Sequence, residues 1–514
     1  MSEKYILAHD LGTTGNKATL FDSHGRVTAS FFCGYTTDYP RPNWAEQNPE
    51  DWWRAICDST RQLIALANIS TSDIACISLC GQMMACVAVD RDANPVRSAL
   101  IYSDVRAVEE TQILIDQVGM EAAYRITGHR TNPSLSGEKM MWIQRNQPEV
   151  YRATHKFLHV KDFIAARLTG NFVTDYSDAS GTDLYDLTAF TYSDTMVQAS
   201  GLDINKLPEL HSSTDIIGQV TSKAAEATGL LMGTPVVMGS GDGACAATGA
   251  GVVREGSAYN YIGSSSWIGV ATNHPMIDPA MRTFTLAHLL PGLYTASGPM
   301  SSAGGAYQWV RDRLCLPEKA AAAQLGVSPY ELMNLQVLKS EPGANGLFFF
   351  PHLLGERSPR WNPEARAVFF GLTMSHTRED MIRATLEGIT YNLRGILEAL
   401  QQQGEPIAAM RLIGGGANGA VWRQILADIY GIPIQRPLLV AEATSFGAAI
   451  AGGIGVGLYP DITMAEQLTP IMDTTLPNPA LKARYDEGYA FFNRAYDAFV
   501  PVYSELARMS AHCK

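Results

Sequence analysis

The sequence has no apolar run approaching the ~20 residues that cross a bilayer. Its early apolar stretch, Tyr5 to Ala8, stops at Asp10, and nothing there resembles a secretory signal. Clusters of Lys and Arg are also missing. With 39 basic against 51 acidic residues the net charge is −12, which excludes general binding to nucleic acid or to an anionic membrane. A polyanion would have to be held locally, by backbone N–H groups, a metal ion or a few cations. The eight cysteines (Cys33, Cys57, Cys76, Cys80, Cys86, Cys245, Cys315 and Cys513) contain no CxxC pair and no regular framework, so reduced thiols and a cytoplasmic location are expected. Cys76, Cys80 and Cys86 are close in sequence but lack an accompanying histidine pattern, and read as small core hydrophobes. Charged residues make up 18% and apolar ones 46%, which excludes wholesale disorder; 514 residues are too many for a single core.

What is present is a repeated pattern. Tyr5–His9, Lys17–Phe21 and Val27–Phe32 read as strands of an antiparallel meander whose first turn is Asp10-Leu-Gly-Thr-Thr-Gly15. A similar unit recurs about 250 residues later: Tyr259–Ile262, the turn Gly263-Ser-Ser-Ser266, then Trp267–Ala271. That repetition predicts a duplicated α/β domain, divided near Arg254 into residues 1–253 and 254–514. Between the meanders, Ile74–Leu79, Ala85–Val89 and Pro235–Met238 read as strands. In the second half Glu379–Gln403 has the spacing of an amphipathic helix, Arg411–Ile413 is a short strand, and Val421–Tyr430 is a helix stopped by Gly431 and Pro433. Glycine-rich turns at strand ends place ligands there.

Four of those turns carry candidate chemistry. Asp10 followed by Gly-Thr-Thr-Gly, with Lys17 nearby, offers N–H groups, hydroxyls and a charge to phosphate, and the carboxylate could hold Mg²⁺ through water; an ordinary glycine hairpin explains the same residues. Gly239-Ser-Gly-Asp242-Gly puts a carboxylate where a strand meets a helix, either as an N-cap or as a general base. Gly414-Gly-Gly-Ala-Asn418 permits close approach of a nucleotide, or simply a tight turn; it is neither a Walker A sequence nor GxGxxG. Gly304-Gly-Ala-Tyr-Gln308 begins a helix, where Gln308 either faces a ligand or belongs to a buried helix start.

Taken in order, Asp-x-Gly-Thr-Thr, Gly-Gln-Met, Gly-x-Gly-Asp and Gly-Gly-Gly-Ala resemble the FGGY carbohydrate kinases. Ser134-Leu-Ser-Gly-Glu-Lys139-Met-Met-Trp142 through Asn146 resembles one signature of that family. Ala367 to Leu372 with Asp380 to Glu387 resembles the other. Leu158-His-Val-Lys161-Asp162 and Thr174-Asp175-Tyr-Ser-Asp178-Ala-Ser-Gly181, with Ser103-Asp104-Val-Arg106, are similar to its xylulokinase group. There the usual Ser-Gly-Gln-Met-His-Gly is replaced here by Cys80-Gly-Gln-Met-Met84-Ala85. Glycerol kinases carry an Arg-Glu pair near this point, and none occurs between Gly81 and Ala85.

The resemblance implies two actin-like, ribonuclease-H-type α/β domains with a cleft between them, and transfer of the γ-phosphoryl of ATP to a sugar, D-xylulose above another ketose or a polyol. It implies Asp242 as the base, Asp10 as the Mg²⁺ site, and Thr13, Thr14 and Lys17 around the phosphates, with Gly263 and Ser264 closing from the opposite domain. Gly304, Gln308, Gly415, Gly416 and Asn418 would hold the nucleotide, and Gln82, Met83, Met84 and Asp104 would line the sugar pocket. The implied partners are small molecules; dimers are common in the family. A non-catalytic nucleotide-binding scaffold and a phosphate-ester hydrolase on a similar fold are the competing readings.

Overall fold

The computed structural model describes residues 3–404 and 406–511. Its first sheet is built from β1 (Tyr5–Leu11), β2 (Gly15–Asp22), β3 (Val27–Gly34), β4 (Ile74–Gly81), β5 (Ile216–Gln219) and β6 (Pro235–Gly241), in the order β5-β6-β4-β1-β2-β3. β1 is the strand Tyr-Ile-Leu-Ala-His-Asp-Leu, buried over nearly its whole length as befits a central strand, whereas β3 alternates exposed and half-buried residues at an edge. The second sheet holds β7 (Ala258–Ile262), β8 (Ser266–Thr272), β9 (Phe284–Ala287), β10 (Tyr294–Met300), β11 (Met410–Ile413), β12 (Ile434–Pro437) and β13 (Ile471–Thr475), ordered β9-β10-β8-β7-β11-β12-β13.

The two sheets share one plan. In each, three strands make an antiparallel meander (β1–β2–β3 and β7–β8–β10), a parallel strand adds beside the first (β4 and β11), a second parallel strand follows (β6 and β12), and an antiparallel strand pairs with that one (β5 and β13). The duplication legible in the meanders therefore extends to six strands of each half, with β9 as an addition. Seven cysteines are unpaired thiols, and Cys513 lies outside the described residues. No helix among the described residues is long and apolar enough to cross a membrane.

The helices that bear on the site are α1 (Ser136–Asn146), α2 (Val160–Thr169), α3 (Asp242–Gly249), α4 (Gly304–Arg313), α5 (Arg378–Gln401), α6 (Ala420–Tyr430) and α7 (Ala443–Gly455). α5 starts with a capping box between Thr377 and Asp380, and buries its aliphatic stripe in the core of the second half. The sequence order is not the spatial order at α7. This helix of small residues lies against the first sheet, where Phe446, Ala449 and Ile450 join one core with Ile6, Ala8, Phe21 and Val237. It crosses α3 so closely that a Cβ on Gly447 would sit 1.9 Å from the Cys245 carbonyl oxygen, and one on Gly249 would sit 1.7 Å from that of Ala443. Gly447→Ala must push two backbones apart. It is expected to lower stability by about 1–3 kcal/mol, seen as an earlier midpoint in urea. An unchanged midpoint would mean that the helices do not meet there.

Candidate functional site

The carboxyl ends of β1, β4 and β6 set the centre of the site. Leu11 pairs with Gly81, and Gly81 with Gly241, so Asp10 and Asp242 stand on either side of one register line, two strands apart. At about 4.8 Å per strand their backbones are roughly 10 Å apart, and the intervening strand contributes Cys80. Helix α3 begins at Asp242 with Gly241 as its N-cap and no capping side chain, so the carboxylate is not the cap. Both carboxyls are half-buried. Burial, then the negative charges of Asp10 and Asp178, push Asp242 up to about 7. Burial pushes Asp10 up to about 6, against a hydrogen bond from Cys80 and the charge of Lys17.

Beside them, the loop between β1 and β2 is held open by other segments of the fold. Tyr35 Oη donates to the Gly12 carbonyl, Gln47 Nε2 donates to the Thr13 carbonyl at 2.7 Å, and the Tyr35 amide donates to Thr14 O at 3.1 Å. Thr13 is left half-exposed and Thr14 exposed. Lys17 does not turn toward this loop: its Nζ donates to the Ala441 carbonyl and the Glu442 carboxylate, both at 2.9 Å, at the start of α7. Lys17 thereby ties the first sheet to the second half, while its charge also acts on Asp10.

The equivalent loop of the second meander is bonded to the start of α4. The Gly304 amide donates to Gly263 O at 3.0 Å and that of Gly305 to Ser264 O at 2.9 Å. A Cβ on Gly304 would lie 2.2 Å from the Gly263 oxygen, so only glycine fits. Together with Gly415, Gly416 and Asn418 these segments line a cavity of about 690 Å³ that also includes Gln308. Its walls contain residues the sequence did not single out: Tyr307 stacked on Tyr330 at 5.3 Å, Trp422 at 5.7 Å from Tyr307, and the polar groups of Ser328, Glu331 and Asn334. Flat rings with a few polar atoms at the edge suit a planar heterocycle. Tyr261, stacked on Trp267 at 4.1 Å, links this cavity to the carboxylates: its hydroxyl sits against Gly263, and burial, then the charges of Asp10 and Asp242, push that hydroxyl's pKa up.

On the other side of Asp242, Met83 lies over Gly241 and Gly243, and Met84 beside Gly181. Gln82 Nε2 donates to Gln47 Oε1 at 2.9 Å, while Gln82 Oε1 is buried without a protein partner. The Asp104 carboxylate is fully buried and engaged by Arg106, Nη2 at 2.6 Å and Nε at 2.9 and 3.0 Å, and by the Ala45 amide at 2.7 Å. What it contributes is the placement of Arg106, whose guanidinium lies 3.5 Å above the Trp44 ring. Trp44 and Arg106 are thus joined to Asp104 although the motif pointed only to the aspartate; the Asp-x-Arg spacing was the available signal.

Beneath Asp242 is a buried charge cluster. Lys161 Nζ reaches Asp162 at 2.7 Å, Asp175 at 2.8 Å and Asp178 at 3.1 Å, all four side chains being fully buried. His159, Asp162 and Asp178 have a donor set that could hold a metal ion, but the Lys161 ammonium already supplies the balancing charge. Asp175 Oδ2 accepts from Ser240 at 2.8 Å and Ser213 at 3.0 Å, and the Gly241 amide donates to Ser177 Oγ at 2.9 Å. The cluster therefore fixes the end of the strand that presents Asp242.

A duplicated mixed sheet with paired glycine loops facing a two-carboxylate cleft is the actin-like, ribonuclease-H-type α/β class, here in its two-domain kinase form. Residues 5–249 match the model of the FGGY family of carbohydrate kinases, N-terminal domain, and residues 258–456 that of the C-terminal domain; the chain belongs to this family and is a carbohydrate kinase. It is 32% identical over 496 residues to the xylulose kinase of Escherichia coli (96% of this chain, 99% of that one). It is 32% identical over 504 residues to the gluconokinase of Bacillus licheniformis (98% of each). A ligand-bound xylulose kinase from Lactobacillus acidophilus superposes with a TM-score of 0.89 at 26% identity, covering 98% of this chain and all of that one. A gluconate kinase from the same organism gives 0.88 at 26% with the same coverage. Membership implies ATP as co-substrate and a sugar as acceptor.

Proposed function

We propose that this kinase phosphorylates D-xylulose at its C5 hydroxyl, giving D-xylulose 5-phosphate and ADP. The observation that carries the reading is the pair of raised carboxylates at the ends of β1 and β6, open to the cleft between Met84 on one side and the Tyr261-Gly263 edge of the large cavity on the other. The sugar oxygen forms a bond to the γ-phosphorus as the bond from that phosphorus to the β-phosphate oxygen breaks, and the hydroxyl proton passes to Asp242. A base near 7 is well matched to this transfer at neutral pH. Most of the remaining work is positioning and charge neutralisation. Gly263, Ser264 and Gly304 would seat the phosphates, and Gly415, Gly416, Gln308 and Asn418 the nucleoside.

Asp10 fits Mg²⁺: it is a half-buried carboxylate lifted by burial, it faces a second carboxylate, and the nearest ammonium is bonded to Glu442. Bound there, Mg²⁺ would neutralise charge on the transferring phosphates. The division near Arg254 into residues 1–253 and 254–514 gives the cleft its two walls, and a hinge at that division would let it shut over a bound sugar and keep water out.

A neutral acceptor is favoured because the buried cations beside the sugar wall are already engaged, Arg106 by Asp104 and by Glu46 at 2.7 Å and Lys139 by three backbone carbonyls. D-gluconate is the second reading, since gluconokinase relatives align as well as xylulose kinases do. ADP release measured over neutral ketoses, polyols and D-gluconate separates them. D-xylulose is expected to give the highest kcat/KM by at least about tenfold, and ATP turnover without sugar to be slow; preference for D-gluconate would replace the assignment.

A further inference from the structure

Lys139 is completely buried on α1, yet it makes no hydrogen bond to a carboxylate. Its Nζ donates instead to three backbone carbonyls from three separate segments: Met84 at 2.8 Å, Ile101 at 2.8 Å and Ser134 at 2.6 Å. An ammonium has three N–H donors, so the match is complete. Two of those segments border the sugar wall: the turn carrying Gln82, Met83 and Met84, and the turn leading to Asp104 and Arg106, whose Asp104 amide also donates to Ile101 O at 2.9 Å. Met84 has φ +62°, a left-handed conformation unusual for a long side chain, which persists only when its surroundings impose it. The Lys139 bond to the Met84 carbonyl is a constraint of that kind.

We propose that Lys139 is a positioning residue for the acceptor: by clamping the turns at 82–84 and 101–104 to the start of α1, it fixes the wall against which the sugar binds, and so governs sugar affinity separately from ATP affinity. The inference rests on the reading of that wall as the sugar side of the cleft. Burial lowers the Lys139 ammonium to about 7; Asp104, Cys86 and Glu138 oppose that fall and Arg106 adds to it. Glu138 is itself raised by burial and by Asp183. Below about pH 7 the ammonium satisfies all three carbonyls. Above it, a neutral amine has two donors and turns a lone pair toward the third, so the clamp loosens as pH rises.

Two measurements test this. Amide hydrogen exchange on full-length wild type and Lys139→Met, at one pH and without any sugar, is expected to show at least about tenfold faster exchange at 82–86 and 101–105, with 263–264 and 415–419 unchanged. Equal exchange in both proteins, or faster exchange throughout, overturns the proposal whatever the substrate is. Steady-state kinetics with D-xylulose, or D-gluconate if that is turned over faster, is expected to show the sugar KM of the variant raised about tenfold or more, the ATP KM within about twofold, and kcat within about threefold. The wild-type sugar KM is expected to climb several-fold from pH 6.5 to 8.5, a trend lost in Lys139→Met, where the KM is high throughout, and lost also in Lys139→Arg, whose guanidinium stays charged across that range. If Lys139→Met does not fold, the wild-type pH series decides: a flat sugar KM, or sugar and ATP KM rising together, refutes the clamp. Failure of every sugar to stimulate ADP release would count against the functional reading and leave the exchange result to judge the clamp.

Discussion

Asp242→Asn should lower kcat by about 10²–10⁴-fold while leaving the ATP KM within a few-fold, because the variant keeps the shape of the site and loses only the proton acceptor. On the proposed reading Asp10 holds Mg²⁺, and Asp178 is fully buried beneath Gly241, so neither replaces the base. In the wild type, kcat at saturating sugar should fall with acid at a pH well above the ordinary carboxylate range near 4, because burial and the neighbouring charges of Asp10 and Asp178 lift Asp242 to about 7. The sign is fixed: a base held protonated is inactive, so activity rises as pH climbs through that value. Asp178→Asn removes one of the repelling charges and should move the acid limb downward. Initial rates from pH 5 to 9 check both statements. An acid limb near 4, or an Asp242→Asn enzyme with more than a tenth of wild-type kcat, would assign the proton to another group.

The second large effect is on folding. Lys161→Met leaves Asp162, Asp175 and Asp178 buried with no ammonium among them. Breaking a buried charge set by removing one partner costs about 3–5 kcal/mol, enough to unfold a marginal domain, so little soluble protein is expected at pH 7.5. The pH dependence should also invert. In the wild type the Lys161 charge and His159 hold Asp162 well below the usual carboxylate range. That contribution is present above the unfolded value near 4 and fades as pH falls. In Lys161→Met the three carboxyls are raised instead, the folded state binds protons more readily than the unfolded one, and stability should increase as pH falls from 8 toward 5. Urea midpoints at several pH values provide the check; a variant as stable as the wild type at pH 8 would show that the ammonium carries no such charge balance.

How much of the site the sequence disclosed depends on distance along the chain. The meanders, Asp10, Asp242 and the glycine turns are local patterns, each complete within a dozen residues, and the sheets place them as the spacing suggests. Lys17 is different: its partners are more than 400 residues away, at Ala441 and Glu442, and no local signal distinguishes a lysine bound for phosphate from one bound for a distant carboxylate. Asp104 and Arg106 were adjacent in the motif, but a spacing of two does not reveal that the arginine consumes the carboxylate. The small residues of α7 announced close packing without naming its partner, which proved to be the first sheet. Tyr307, Tyr330 and Trp422 look like core aromatics in sequence, and only the folded cavity gives them a ligand face.

The most direct test of the central claim, that these two carboxylates direct a phosphoryl group from ATP onto a sugar alcohol, is ³¹P NMR of a reaction containing the enzyme, Mg-ATP and D-xylulose. A sugar phosphomonoester is expected to grow in step with ADP, with little inorganic phosphate, and to be absent with Asp242→Asn over the same time. Inorganic phosphate released at one rate with and without sugar, and no ester from any acceptor in the panel, would contradict the account.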